Sequence, residues 1–169
     1  MKIEYKVVEE HYDDGSINYQ EWRKDGKRHR EGGPAILSYY QGGSIYHQEW
    51  YKDGKRHREA GPAYIMYCKG GSIYYQAWYK NGEYHREDGP AYVTYYGDGT
   101  ICHQGWWKGG RRHREDGPAE IGYYRDGTIW YQSWYKDGKQ LTKEEFEGKS
   151  CAGKIVEIDG KRYKLKEIT

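Results

Sequence analysis

Four histidines recur every 28 residues, and each is followed directly by an arginine and a glutamate. The members of this trio are His29, His57, His85 and His113, then Arg30, Arg58, Arg86 and Arg114, then Glu31, Glu59, Glu87 and Glu115. A histidine, an arginine and a carboxylate together could serve as general base, anion clamp and general acid. An active site normally holds one asymmetric group of such residues in a pocket. Because this trio appears four times at one spacing, we expect a protein without catalytic residues.

The same histidines could be considered as metal ligands. If each repeat forms two neighbouring strands, equivalent histidines lie two strands apart, at about 9.6 Å. Two histidines that share a zinc ion must each lie about 2.0–2.1 Å from it. We therefore expect neither a metal nor a cofactor. The histidines are interpreted as hydrogen-bond donors that hold each loop against the next repeat, and the Arg–Glu pairs as a ladder between successive copies.

The repeat includes many more positions than this trio. Two columns run through five copies: Trp22, Trp50, Trp78, Trp106 and Trp134, and Gln20, Gln48, Gln76, Gln104 and Gln132. A fixed period of this length indicates a solenoid in which each copy is one supersecondary unit. We interpret the tryptophans and glutamines as structural residues, and we expect the tryptophans to form one line on one face.

Each copy predicts two β-strands. In the third copy, Ser72–Lys80 is rich in aromatic and β-branched residues and is too short for an independent helix. Ala91–Tyr96 forms a second such segment after a polar stretch that ends at Pro90, a residue suited to the start of a strand. The predicted fold class is all-β, an elongated antiparallel meander or solenoid of about five hairpin repeats.

The turn between the third and fourth copies sets the predicted register. Asp98-Gly99 has the sequence of a two-residue type I′ turn, which needs positive φ at both positions. Such a turn would place Tyr95 opposite Cys102 and Val93 opposite Gln104.

The two ends of the chain depart from the repeat. Residues 1–138 are predicted to form the array, with residues 4–11 as a leading cap strand, and residues 139–169 a C-terminal cap. Thr142 to Glu145 has the pattern of a helix capping box. A final hairpin is expected from Lys154–Ile158 and Lys161–Leu165, joined by Asp159-Gly160.

Composition narrows the class of protein further. The chain has 21 Tyr and 7 Trp, which can bury large areas in place of aliphatic residues, and its formal net charge is only +2. Proteins that grip a nucleic-acid backbone usually carry a strong basic excess. No segment resembles a secretory signal or a membrane span, and the three cysteines form no spaced pair. We expect a cytoplasmic protein, in the host cytoplasm if the gene belongs to a phage.

Two sequence blocks carry a family resemblance. Trp50-Tyr51-Lys52-Asp53-Gly54 and His85-Arg86-Glu87-Asp88-Gly89-Pro90-Ala91 resemble the MORN-repeat variant found in tandem in bacterial and bacteriophage proteins. The resemblance implies an elongated, twisted sheet of stacked hairpins. It also implies a binding scaffold, for example an antitoxin, immunity protein or inhibitor in phage–bacterial conflict. The longer period of this chain, due to its Lys-Arg-His-Arg-Glu loop, argues against transferring the lipid association of some family members.

The expected function is binding of another protein through the loop edge. The residues proposed for this contact are Arg28, His29, Arg30, Arg56, His57, Arg58, Tyr84, His85, Arg86, Arg111, Arg112, His113 and Arg114. The variable strand column Glu21, Glu49, Ala77, Gly105 and Ser133 is expected to be exposed and to add specificity. Reversing the charge of Arg28, Arg56 and Arg112 should then abolish binding and leave the fold intact. The alternative is a phosphate-containing ligand or nucleic acid held by the same loops.

Overall fold

The computed structural model describes residues 4–148 and the strand residues 155–158 and 161–164. The chain is all-β, with 50% of its residues in strands and 3% in helix. Its main feature is one large antiparallel sheet that is not closed on itself. The fold class predicted from the sequence is therefore confirmed.

Twenty strands and one helix follow each other along the described chain. They are β1 (Lys6–His11), β2 (Ile17–Lys24), β3 (Lys27–Arg28), β4 (Ile36–Tyr39), β5 (Ile45–Glu49), β6 (Tyr51–Lys52), β7 (Lys55–Arg56), β8 (Tyr64–Tyr67), β9 (Ile73–Ala77), β10 (Tyr79–Lys80), β11 (Glu83–Tyr84), β12 (Tyr92–Tyr95), β13 (Ile101–Gly105), β14 (Trp107–Lys108), β15 (Arg111–Arg112), β16 (Glu120–Tyr123), β17 (Ile129–Lys136), β18 (Lys139–Leu141), α1 (Lys143–Phe146), β19 (Ile155–Ile158) and β20 (Lys161–Lys164).

The large sheet is a meander. Its strand order is β1-β2-β4-β5-β8-β9-β12-β13-β16-β17-β18, and β3 pairs with β2. The pairs β6–β7, β10–β11, β14–β15 and β19–β20 form separate two-stranded units. All the pairings are antiparallel, and each strand of the large sheet lies beside its neighbours in sequence, as hairpin connections require.

Short hairpins project from the repeats, a feature that the sequence analysis interpreted as a polar loop. In the middle copies the strand is interrupted at its tryptophan, and the next residues form the tip hairpin, for example β6–β7. Asp53 and Gly54 at this tip have φ of 51° and 83°, the two positive values of a type I′ turn. The tips stack on each other, since the Gly54 N–H donates to the Arg28 carbonyl at 2.9 Å.

The turn at Asp98-Gly99 differs from the prediction. Only Gly99 has positive φ, its N–H donates to the Tyr96 carbonyl, and the Tyr96 N–H donates to the Thr100 carbonyl. This is a three-residue loop with a bulge. Val93 lies opposite Gln104 as predicted, but Tyr95 lies opposite Ile101. The predicted pairing of Tyr95 with Cys102 is wrong, because the bulge leaves Cys102 without a partner residue.

The buried core is thin and consists mainly of alanine, isoleucine and valine side chains. Ala35, Ala63, Ala91 and Ala119 are fully buried at equivalent positions of four copies. A single-layer sheet cannot enclose large side chains, so most rings and arginines are half-buried on its two faces. These two faces carry different side chains and are therefore the two candidate binding surfaces.

The C-terminal elements follow the sequence analysis. Thr142 caps helix α1, and Thr142 and Glu145 form the reciprocal capping box. Strands β19 and β20 pair from Ile155 with Lys164 to Ile158 with Lys161. The predicted Asp159-Gly160 turn and Cys151 lie outside the described residues.

Candidate binding surfaces

The first surface, here called the tryptophan face, carries the tryptophan and glutamine columns. The guanidinium of Arg58 lies 3.9 Å from the ring centroid of Trp50 and donates to the Pro62 carbonyl at 3.1 Å. The same stack occurs in the other copies with Arg30 on Trp22, Arg86 on Trp78 and Arg114 on Trp106. Arginine over an aromatic ring is a cation–π contact, and it holds the loop onto the sheet within one copy.

Glutamines tie the copies together on this face. The Tyr67 hydroxyl donates to Gln48 Oε1 at 3.0 Å, and the equivalent bond forms at Gln20, Gln76 and Gln104. Each bond joins residues that are 19 positions apart, so it crosses from one hairpin to the next. These contacts support a structural role for the tryptophan and glutamine columns.

The histidine column fixes the tips, as predicted, but with the hydrogen bond reversed. The Asn81 N–H donates to His57 Nδ1 at 3.2 Å, and His85 Nδ1 accepts from the Gly109 N–H at 3.1 Å. His29 and His113 make the same contact. Each histidine therefore accepts from the next tip, and in three copies its Nδ1 also lies 2.9–3.1 Å from the side-chain oxygen of the tip residue Asp53, Asn81 or Asp137. His57 Nε2 lies 2.8 Å from Glu59, in its own copy.

The predicted ladder of Arg–Glu pairs between copies is not formed. The arginines of the trio stack on tryptophan, while the glutamates lie beside the histidine of the same copy. Glu87 and Glu115 instead reach a lysine of the next copy, with Lys108 at 3.3 Å and Lys136 at 3.4 Å. Exposed pairs of this kind contribute about 0–1 kcal/mol each.

The second surface, here called the tyrosine face, carries the variable strand column on the opposite side of the sheet. Glu21, Glu49 and Ser133 of that column are buried, and Ala77 is fully buried. The expectation that this column is exposed is therefore wrong. The carboxylates can be buried because an arginine seven residues later folds back over them: Arg28 reaches Glu21, and Arg56 reaches Glu49 at 2.7 Å.

Glu49 shows the electrostatics of this arrangement. Its carboxyl lies 2.7 Å from Arg56 Nε, 2.9 Å from the Tyr51 hydroxyl and 3.4 Å from His47 Nε2. Burial alone would raise the pKa of Glu49, but the hydrogen bonds from His47 and Arg56 outweigh it and lower the pKa to about 2. The carboxylate is thus held in its charged form inside the fold.

The third copy replaces both members of this pair. Ala77 stands where Glu49 does, and Tyr84 stands where Arg56 does. The Tyr84 ring stacks on Tyr79 at 4.4 Å between centroids, and its hydroxyl lies 2.7 Å from that of Tyr75. An aromatic cluster thus replaces the ion pair at one point of the array.

In the fourth copy, a glycine, Gly105, stands at the position of Glu49. A Cβ at Gly105 would lie 2.2 Å from Tyr92 Cε1, so the ring crosses directly over the backbone. The Tyr92 hydroxyl then donates to Glu120 at 2.5 Å, and Arg112 Nε lies 2.8 Å from the same carboxyl group. Burial, followed by the bond to Glu120, raises the pKa of Tyr92.

A continuous row of rings crosses the tyrosine face at right angles to the strands. Neighbouring centroids are 5.0–6.3 Å apart. In order, the rings are Tyr40, Tyr46, His47, Tyr64, Tyr75, Tyr92, His103, Tyr131 and Trp130. The row becomes most exposed at its end, where Tyr131 is 40% and Trp130 54% exposed.

The residues proposed from the sequence for partner binding do not form one surface. Arg28, Arg56, Tyr84 and Arg112 lie on the tyrosine face, whereas Arg30, Arg58, Arg86 and Arg114 stack on the tryptophan face. The histidines His29, His57, His85 and His113 lie between the tips, and Arg111 is exposed at one tip. The ring row was not among the residues expected from the sequence to bind a partner. One sequence signal could have revealed the buried pairs. The third copy replaces both members at once, with Ala77 in the glutamate column and Tyr84 in the arginine column.

Charge reversal at Arg28, Arg56 and Arg112 would not leave the fold intact. Each of these arginines holds a buried carboxylate, so a glutamate there would face another glutamate at close range. An uncompensated buried charge costs about 3–5 kcal/mol.

Other kinds of site are not evident in the described part of the chain. No three His, Cys, Asp or Glu side chains come together there as a metal site requires. Cys68 and Cys102 are free thiols. None of the described helices is long and apolar enough to cross a membrane.

Comparison with protein-family models, with curated proteins and with solved structures found no match to this chain. The resemblance to MORN-repeat variants therefore stays a prediction from its sequence blocks. The fold itself is established by the antiparallel meander, an open all-β array of stacked hairpin repeats.

Proposed function

We propose that this chain is a non-enzymatic repeat protein that binds another protein through its tyrosine face. The observation that carries the proposal is the ring row from Tyr40 to Trp130, with the Arg56 guanidinium 5.3 Å from the Tyr64 ring centroid. Tyrosine, tryptophan and arginine are the residues that contribute most at protein interfaces. They offer large contact areas at little conformational cost, since each ring is already held by its neighbours.

The alternative, capture of phosphate or nucleic acid by the loops, has less support. Three arginines of the basic stripe already hold a buried carboxylate, and four others lie flat on tryptophan. A catalytic role has less support because the histidine, arginine and glutamate trio is repeated in four copies, whereas an active site normally holds one asymmetric group. An antitoxin, immunity or inhibitor role in phage–bacterial conflict is a proposal that rests on the family resemblance.

The test compares two matched variants of the full chain. Trp130→Ser with Tyr131→Ser removes the exposed end of the ring row. Val7→Ser is the control, because Val7 is 44% exposed and lies opposite Trp22, on the tryptophan face. Proteins retained by the wild type are purified, and their affinity for each variant is measured by calorimetry.

A binding partner on the tyrosine face should lose about 30-fold or more in affinity for the double variant, as expected for interface hot spots. The Val7 control should bind normally. Undiminished binding by the double variant would contradict the proposal. Binding that falls steeply with salt, together with retained nucleic acid, would favour the phosphate-binding alternative.

A further inference from the structure

Two of the four arginines on the tryptophan face have no carboxylate partner. Arg86 Nε donates to Asp88 at 2.9 Å, and Arg114 Nε donates to Asp116 at 2.7 Å. The positions equivalent to these aspartates in the first two copies are Gly32 and Ala60. Among the described residues, no carboxylate lies within 4.0 Å of Arg30 or Arg58.

The first two copies otherwise hold the arginine in the same way. Arg30 and Arg58 stack 3.7 Å and 3.9 Å above their tryptophan centroids, and each donates Nη1 to a proline carbonyl. Each guanidinium is therefore oriented as in the later copies, with its Nε hydrogen not bonded to a carboxylate. Burial without a carboxylate partner also lowers the pKa of Arg58.

A groove of about 370 Å³ joins these two positions. Its lining includes both arginines, the Trp50 ring and Lys52. Glu31 and Glu59 also border it, at 64% and 81% side-chain exposure. The charged side chains in the groove sum to +1, from Arg30, Arg58 and Lys52 against two glutamates, with histidine neutral.

We propose that Arg30 and Arg58 are two binding positions for the carboxylates of an acidic, extended peptide segment of a partner protein. The later copies show which group fits there, because an aspartate occupies the equivalent place. Equivalent positions lie about 9.6 Å apart along the array. Residues i and i+3 of a chain extended in the polyproline II conformation lie about 9.3 Å apart on the same side of the chain. The segment thus carries Asp or Glu at i and i+3, and each carboxylate accepts a charge-assisted hydrogen bond from Nε.

A peptide is favoured over a nucleic acid by the groove itself. The two exposed glutamates repel a continuous phosphate backbone, whereas single carboxylates three residues apart can approach the arginines between them. The proposal does not depend on the tyrosine face, which lies on the other side of the sheet.

The experiment titrates the full chain, isotope-labelled, with the peptide Gly-Ser-Glu-Gly-Ser-Glu-Gly-Ser and with its Glu→Gln counterpart. NMR follows the arginine Nε–H signals and the tryptophan indole signals. We expect the acidic peptide to shift the signals of Arg30 and Arg58, and the Gln peptide to bind roughly tenfold more weakly.

Two variants test the proposal in opposite directions: one removes a peptide-binding position and the other creates one. Ala60→Asp supplies the missing carboxylate internally, as Asp88 does in the third copy, and should weaken the peptide roughly tenfold without loss of thermal stability. Asp88→Ala should create a third position, which a peptide with a further glutamate at i+6 would occupy with higher affinity.

Three results would overturn the proposal: no shift of the Arg30 and Arg58 signals at millimolar peptide, equal binding of both peptides, or unchanged binding to Ala60→Asp. Shifts caused by a single-stranded oligonucleotide but not by the acidic peptide would also overturn it and assign the arginines to phosphate.

Discussion

The buried pair of Glu49 and Arg56 allows a quantitative test of how the tyrosine face is stabilised. Arg56→Tyr introduces the residue that the third copy has at this position, Tyr84, but leaves Glu49 in place. The Glu49 side chain is 9% exposed, and its carboxyl would lose the Arg56 Nε that lies 2.7 Å away. Breaking a buried ion pair on one side costs about 3–5 kcal/mol. We expect about 3 kcal/mol, because His47 and Tyr51 still reach the carboxylate.

The other single variant, Glu49→Ala, should lower the free energy of unfolding by a smaller amount. The Arg56 side chain is already 36% exposed, and its guanidinium lies within 6 Å of the ring centroids of Tyr51, Tyr64 and Tyr79, contacts that Glu49→Ala does not remove. We expect a loss of about 1–2 kcal/mol. The double variant recreates the Ala77 and Tyr84 combination of the third copy, so its loss should be at least 1 kcal/mol smaller than the sum of the two single losses.

Urea denaturation at pH 7, followed by circular dichroism and tryptophan fluorescence, measures the free energy of unfolding of all four proteins. Additive losses, within about 0.5 kcal/mol, would show that the two side chains act independently. A loss below about 1 kcal/mol for Arg56→Tyr would show that Glu49 is not held by this arginine. Either result would refute the explanation given for the burial of the variable column.

Three further predictions concern pH and packing. The folded pKa of Glu49 is about 2 against an ordinary 4.5, so its contribution to stability is complete above pH 4.5 and is lost as the pH falls towards 2. Wild type should lose about 2 kcal/mol more than Glu49→Gln over this range in urea titrations, after allowance for solvent screening, and equal losses would contradict the assignment. Gly105→Ala should cost about 2 kcal/mol or more, because the Tyr92 ring must move, whereas Gly97→Ala, with open space around it, should be nearly neutral by thermal unfolding. Trp78→Ala should lower the free energy of unfolding by about 2–4 kcal/mol, because it removes the ring that supports Arg86; a loss below 1 kcal/mol would mean that the tryptophan column is not structural.

Local patterns in the sequence were sufficient for the architecture. Strands such as Tyr92–Tyr95 lie where alternating aromatic and β-branched residues predict them, and Thr142 begins the helix that its capping box indicates. These features depend on residues close together in the chain, and the 28-residue period repeats them often enough to be unambiguous. Two features differ from the prediction: a bulge at Asp98-Gly99 shifts the register by one residue, and the polar stretch forms tip hairpins such as β6–β7.

The candidate binding surfaces were decided by the tertiary structure. Arg56 and Arg58 are two residues apart, yet one covers a buried glutamate on the tyrosine face and the other lies on a tryptophan on the opposite face. Their separation follows from the tip hairpin, which pairs Arg56 with Tyr51 and so brings it back to the face that carries Glu49. The burial of Glu49 has the same origin, since a carboxylate looks solvent-exposed in sequence until the fold brings a guanidinium to within hydrogen-bond distance.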